Sequence, residues 1–326
     1  MTVGVGIVGA GGIGRTHGEI LHDHDRADVV AVCDVDAKRA ETLATTVEAA
    51  AYTDYRTMFA ERDIDAVYVT TPPRTRVDVV RTAADHDAAV FCEKPLATTV
   101  EDGRAVRDVV ERTGVPFMVG FCLRFAEPCR RLREIVADGG VGDPVALFSH
   151  RGGYGVPDGA NWRTDPGQAC GVTVESAAHN VDLLRWLGGE IAAASGVTTN
   201  VTHPELGAFD DNVVATVAFE SGAIGAVQNS WTSRVEYLRH GVVGTEGTVV
   251  VEGDGWWRLD SLTHATADDG SPRTVSFDEA TATEMGYAGE TDAFLECAAN
   301  DVTPPADVHD GLRALEISHE ILDSEG

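Results

Sequence analysis

Lysine is almost missing from this chain. Of 326 residues only Lys38 and Lys94 are lysine, against 23 arginines. Also missing are Cys-x-x-Cys pairs among the six cysteines (33, 92, 122, 129, 170 and 297), a basic leader at the N-terminus, internal repeats and low-complexity tracts. No apolar run approaches the ~20 residues that cross a bilayer. Each absence excludes a class. Unpaired cysteines argue against a zinc module or a disulfide scaffold and predict free thiols in a reducing compartment. Without a leader or a span, the expected location is the cytoplasm, with no membrane partner.

Acid is what the chain has in excess. Fifty-three Asp and Glu give a net charge of -28, spread along the sequence rather than gathered in a tail. Such a surface repels nucleic acid and anionic lipid. Distributed acid with little lysine predicts adaptation to a salty cytoplasm, the protein of a halophile. At about 1 M salt the screening length falls to roughly 3 Å, so carboxylates hydrate the surface at little electrostatic cost.

The length predicts two domains, and the pattern changes character near Cys122, giving 1–121 and 122–326. Val3 to Val8 reads as a buried strand, followed by Gly9-Ala10-Gly11-Gly12-Ile13-Gly14 and a helical pattern. This is Gly-x-Gly-x-x-Gly. Gly9 serves a tight turn, Gly11 lets backbone approach a pyrophosphate, and Gly14 allows close helix–strand packing. The helix start, with Gly12 and Ile13, offers N–H groups to phosphate. A second apolar run ends in Asp34, twenty residues after Gly14, where an acid can bind ribose hydroxyls. Asp34 and Asp36 would repel a 2′-phosphate, so NAD is the expected cofactor, with NADP as the alternative because Lys38 and Arg39 lie close by.

Strands and helices keep alternating through Thr71-Pro72, the run Ala88–Cys92 and Glu93-Lys94-Pro95. Alternation of this kind predicts a doubly wound parallel sheet, with ligands at the carboxyl ends of its strands. The glycine turn, Thr71-Pro72 and Glu93-Lys94 all fall at such ends. A lysine kept where arginine is the rule suggests chemistry that arginine, always charged, cannot perform. A surface lysine at a strand end is the other reading.

Beyond Cys122 the pattern predicts consecutive strands joined by tight turns, hence an antiparallel sheet. Expected strands are Val145–Ser149, Val197–Val201, Val213–Phe219, Ala223–Trp231, Leu238–Val243, Thr248–Val251 and Trp256–Leu259. A polar loop from Arg151 to Gly171 contains Asn161-Trp162-Arg163. Val172–Leu187 reads as one helix with Glu175, His179 and Asp182 on one face. That stripe is either a salt-bridge row or a site. No further ligand cluster stands at suitable spacing, so a metal is not expected. Tyr287–Ala299 and His309–Leu322 are helical and free to pack back on the first domain.

Together these residues resemble the Gfo/Idh/MocA oxidoreductase family, which contains glucose–fructose oxidoreductase and inositol dehydrogenase. The glycine fingerprint, Thr71-Pro72, Glu93-Lys94-Pro95, Arg124-Phe125, Trp162-Arg163, the helix with His179 and Asp182, and Gly244-x-x-Gly247 occur in the family's order. The resemblance implies a Rossmann domain, a C-terminal α/β domain with an open, largely antiparallel sheet that binds substrate and forms the oligomer, and a homodimer or homotetramer made through that sheet. It implies hydride transfer between nicotinamide and a secondary alcohol or hemiacetal carbon of a sugar or polyol. In that scheme His179 is the base, Lys94 holds the same oxygen and can relay its proton, Glu175 positions substrate or tunes the histidine, and Glu93 orients Lys94 or the nicotinamide side. Arg124, Asn161, Trp162, Arg163 and Asp182 would hold hydroxyl groups or serve the structure instead. Two departures stand out. Glu175 occupies a place where Asp is frequent, and Arg76 stands where many members carry histidine. Two rival functions remain: a glycosidase that retains NAD and oxidises transiently, and a sugar- or nucleotide-sensing regulator without catalysis.

Overall fold

The structure is a computed structural model that describes residues 2–155, 162–165, 167–206, 209–268, 271–300 and 302–324. Its elements run β1 (Val3–Val8), α1 (Gly12–His22), β2 (Ala27–Cys33), α2 (Ala37–Thr46), β3 (Ala50–Tyr52), α3 (Tyr55–Glu61), β4 (Ala66–Val69), α4 (Arg76–Ala84), β5 (Ala89–Glu93), α5 (Val100–Thr113) and β6 (Phe117–Gly120). There follow α6 (Glu127–Ala137), β7 (Pro144–Tyr154), α7 (Gly171–Glu175), α8 (Ala177–Gly188), β8 (Ile191–Thr199), β9 (Asn212–Phe219), β10 (Ile224–Ser230) and β11 (Thr232–Gly244). The chain ends with β12 (Gly247–Gly253), β13 (Ser261–Thr266), β14 (Arg273–Ser276), α9 (Glu279–Thr283), α10 (Tyr287–Asn300) and α11 (Val308–Asp323).

Two compact units result. One comprises Met1–Phe121 with Tyr287–Arg313, the other Cys122–Gly286 with Ala314–Gly326. In the first, β3-β2-β1-β4-β5-β6 form a wholly parallel sheet. Strand order reverses between β1 and β4, the point where open α/β sheets leave a crevice for ligands. Every residue of β4 and β5 is buried, as expected for strands covered on both faces. Tyr68 of β4 stacks on Phe91 of β5 with ring centroids 4.5 Å apart, and Phe294 of α10 meets Tyr68 edge-on. Helix α10 therefore belongs to this core.

The second unit holds an eight-stranded sheet ordered β14-β13-β12-β11-β7-β10-β9-β8. It is mostly antiparallel, with one parallel pair, β7 and β10. Helix α8 packs on β7 and β10, and α6 packs on β12. Along β9, Val213, Ala215, Val217 and Phe219 are buried while Val214 points away, 61% exposed. Val197 pairs with Val214 in register, and Ile224 pairs with Ala218 on the same side of the sheet. Val197 and Ile224 are likewise exposed.

Two local expectations differ from the fold, and three strands stand where none was expected. The single helix over Val172–Leu187 is interrupted at Ser176, whose hydroxyl is held by the Arg151 guanidinium and the Asn229 amide. Trp256–Leu259 is a turn rather than a strand, because Trp256 and Trp257 turn their rings onto Arg151. The strands β3, β13 and β14 are too short or too polar for alternation to reveal. Among the described residues no helix is long and apolar enough to cross a membrane.

Candidate active site

The glycine turn is fixed by sterics. Gly9 has φ +108°, and a Cβ there would lie 2.8 Å from the Thr70 and Thr71 backbone; a Cβ on Gly14 would lie 1.9 Å from the Gly9 carbonyl. Thr70 locks the turn further, its hydroxyl donating to the Gly9 carbonyl at 2.6 Å. Sequence reasoning missed Thr70, since a threonine ending a strand carries no distinguishing pattern.

A Cβ on Gly11 or Gly12 would meet nothing within 4 Å, so this side of the turn borders open space. Helix α1 begins there with no side chain capping it, leaving the N–H groups of its first turn, at Gly12, Ile13 and Gly14, for an anion. Asp34 is buried beside the turn. One of its oxygens accepts from the Ala10 N–H at 2.8 Å, and the other from the Asp36 N–H at 2.9 Å and from Arg39 Nη2 at 2.8 Å. The cradle and the acid at the end of β2 fit a dinucleotide: phosphate over the glycines, ribose towards Asp34.

Thr71 and Pro72 follow β4, and Lys94 follows β5, half-buried. Glu93 faces inward. Its Oε2 accepts from the Lys94 N–H at 3.0 Å, and its Oε1 lies 3.0 Å from His17 Nε2. Burial pushes the Glu93 carboxyl up, but the His17 hydrogen bond and the charges of His17, Lys94 and Arg76 outweigh it and hold the group below the usual carboxylate range. Glu290 of α10 comes within 3.9 Å of the same ring nitrogen. One nitrogen and two carboxylate oxygens thus lie within 4.8 Å of one another. A 3.0 Å N···O separation is a direct hydrogen bond, so His17 and Glu93 are paired directly. His17 was also missed; its signal was a lone histidine on the apolar face of α1, next to the fingerprint.

In the second unit the candidate residues form pairs. Arg124 clasps Asp182 through Nη2···Oδ1 at 2.5 Å and Nε···Oδ2 at 2.9 Å, both side chains buried. Arg163 clasps Glu175 through Nη2···Oε1 at 2.8 Å and Nε···Oε2 at 3.0 Å, and its guanidinium also covers the Trp162 ring. Burial would lower the Arg163 pKa, but the Glu175 charge and hydrogen bonds raise it overall. His179 is buried, its ring 5.3 Å from that of Trp257. Arg151 lies between Trp256 and Trp257, at 3.8 and 4.3 Å from their centroids. Asn161 lies outside the described residues.

A buried polar chain supports α8 from below. His240 Nδ1 hydrogen-bonds Ser149 Oγ at 2.8 Å, the Asn180 amide donates to the same hydroxyl at 2.7 Å, and Asn229 donates to Asn180 at 3.1 Å. Asn180 and His179 are neighbours, so this chain fixes the helix turn from which His179 projects. No sequence spacing announces it, because its members come from four elements.

Comparison with known proteins agrees with this architecture. A family model described as "Oxidoreductase family, NAD-binding Rossmann fold" matches residues 3–121, and one described as "GFO/IDH/MocA C-terminal domain" matches residues 129–250. The scyllo-inositol 2-dehydrogenase (NAD(+)) of Bacillus subtilis is 29% identical over 317 residues, spanning 95% of this chain and 90% of its own length. D-xylose 1-dehydrogenase (NADP(+)) 2 of Haloferax volcanii is 30% identical over 329 residues, spanning 98% and 96%. The solved structure of levoglucosan dehydrogenase in complex with NADH shares the fold, with a TM-score of 0.89 at 22% identity, 99% of this chain being covered and 97% of that one. With the glycine turn, the Lys94 turn and the mixed sheet in place, this chain belongs to the Gfo/Idh/MocA family of oxidoreductases.

Proposed function

We propose that this protein oxidises a secondary alcohol or hemiacetal carbon of a sugar or polyol, or reduces the corresponding carbonyl, with NAD as its preferred partner. The observation that carries this reading is Lys94 at the carboxyl end of β5, on the same sheet edge as a glycine turn that opens onto free space at Gly11 and Gly12. When bound, the dinucleotide supplies a nicotinamide carbon that accepts a hydride. In oxidation, as the substrate C–H bond gives up that hydride and a C=O bond forms, His179 would take the O–H proton. Lys94 donates a hydrogen bond to the oxygen and stabilises its developing negative charge. Glu175, held ionised by Arg163, orients substrate rather than taking its proton. The first unit is assigned the dinucleotide and the second the substrate. The named activities of the inositol and xylose dehydrogenases support the substrate class.

The exposed row Val197, Val214 and Ile224 supports a homodimer or homotetramer made through the eight-stranded sheet. None of the six cysteines forms a disulfide among the described residues, which suits a reducing cytoplasm.

The test is a panel of sugars, polyols and their phosphates with NAD and with NADP in high salt, followed at the NADH absorbance band. Lys94→Ala should lose orders of magnitude in turnover while still binding dinucleotide. Lys94→Arg should recover little, since guanidinium does not share its proton. Glycoside cleavage without net NADH would favour the NAD-retaining glycosidase, and no turnover anywhere on the panel would favour a regulator.

A further inference from the structure

Arg76, one of the two departures from the family pattern, opens α4 and is 3% exposed. Its guanidinium addresses main-chain carbonyls. Nε and Nη2 donate to the Thr71 carbonyl at 3.0 and 2.8 Å, while Nη1 donates to the carbonyls of Glu93 and Pro95. The Lys94 carbonyl lies 3.5 Å from Nη2. One side chain therefore bridges the loop after β4 to the turn after β5, and it grips that turn on both sides of Lys94.

Burying a guanidinium is costly unless its donors are satisfied. Here they are satisfied by the two loops, so moving either loop would strand a buried charge. That makes the arrangement stiff. The planar fork is what allows two carbonyls on one loop and one on the other to be held at once; an ammonium lacks that geometry and an imidazole has too few donors. From the opposite direction, Glu93 accepts the Lys94 N–H, and His17 holds Glu93. The Lys94 backbone is thus fixed at its N–H by Glu93 and at its flanking carbonyls by Arg76.

We propose that Arg76 is a positioning residue for Lys94: it sets the backbone from which the lysine reaches substrate by tying that turn to the Thr71 loop. This rests on the reading that Lys94 takes part in catalysis. The near-absence of lysine supplies a direct probe. Labelled with [15N]lysine, the chain has backbone amide resonances only from Lys38 and Lys94, and Lys38→Arg identifies which is which.

In Arg76→Gln the Lys94 resonance should shift and broaden while that of Lys38 stays fixed. Turnover should fall by about 100-fold, the loss that follows a misplacement of about 1 Å. The dinucleotide Kd, measured by NADH fluorescence, should stay near the parent value. Arg76→His, which keeps part of the donor set, should lie between the two in both readouts. The proposal is overturned if Lys94→Ala abolishes turnover yet Arg76→Gln leaves both turnover and the Lys94 resonance unchanged. If Lys94→Ala itself leaves turnover intact, the catalytic reading of Lys94 fails, and a fixed Lys94 resonance in Arg76→Gln would then overturn the positioning claim separately. Loss of folding in both Arg76 variants also overturns it, since the residue would then hold up the unit rather than the turn.

Discussion

The guanidinium of Arg163 meets the Glu175 carboxylate edge to edge, with both oxygens engaged at 2.8 and 3.0 Å. A carboxylate clasped by a fork of this kind stays ionised and is a poor proton acceptor. Glu175→Gln should therefore weaken substrate binding and lower stability by about 1–2 kcal/mol, as Arg163 keeps some contact with water. The acidic limb of the pH–rate profile should survive. Its disappearance in Glu175→Gln would make Glu175, not His179, the base.

Arg124 and Asp182 are paired out of reach of water. Removing one partner leaves a buried charge, so Asp182→Asn should cost about 3–5 kcal/mol in chemical denaturation. The double variant Arg124→Met/Asp182→Leu should recover much of that. A single-variant cost below about 1 kcal/mol would mean that water solvates the pair.

Arg39 reaches back onto Asp34 at 2.8 Å. As long as the acid is present, it opposes a 2′-phosphate and occupies the arginine that would bind one. Asp34→Ser should release Arg39 and move the NAD:NADP ratio of kcat/KM towards NADP by about tenfold or more, since a charged hydrogen bond is worth about 1.5–3 kcal/mol. Measuring kcat/KM with both dinucleotides checks this, and an unchanged ratio would remove Arg39 from cofactor choice.

His240 is buried, and its pKa is pushed down to about 3, by burial first and then by the charges of Arg151 and His150. The unfolded chain takes up this proton below about pH 6.5 while the folded one does not, so stability falls as pH drops from there towards 3. Asp210 acts in the other direction. Burial raises it to about 6, so the folded state favours its protonated form and loses stability as pH rises from about 4 to 6. Comparing His240→Gln with the parent holds Asp210 constant. The parent should lose more stability than the variant between pH 7 and pH 5, in parallel thermal or denaturant melts; equal losses would show His240 reached by water.

The net charge of -28 should make the fold depend on salt. The thermal midpoint is expected to rise from dilute buffer to multimolar KCl, with activity following it. A midpoint that does not move would end the reading of salt adaptation.

Much of this protein is determined by local sequence. The glycine turn, Asp34 and the alternation of buried strands with amphipathic helices fix a parallel sheet and its ligand edge, because turn sterics and periodic burial act over a few residues. Lys94 drew notice because arginine replaces lysine everywhere else but position 38. What only tertiary structure decided is how those groups are held. His17 and Glu93 are 76 residues apart, and Arg124 and Asp182 are 58 apart. Their pairing depends on which strands become neighbours, and no local spacing carries that information. Ser176 interrupts a helix that periodicity makes continuous, because its hydroxyl is claimed by two side chains from the sheet. The role of Arg76 was illegible for the same reason. Its partners are carbonyl oxygens, which every residue has, and only the meeting of two loops at one sheet edge selects the ones it binds.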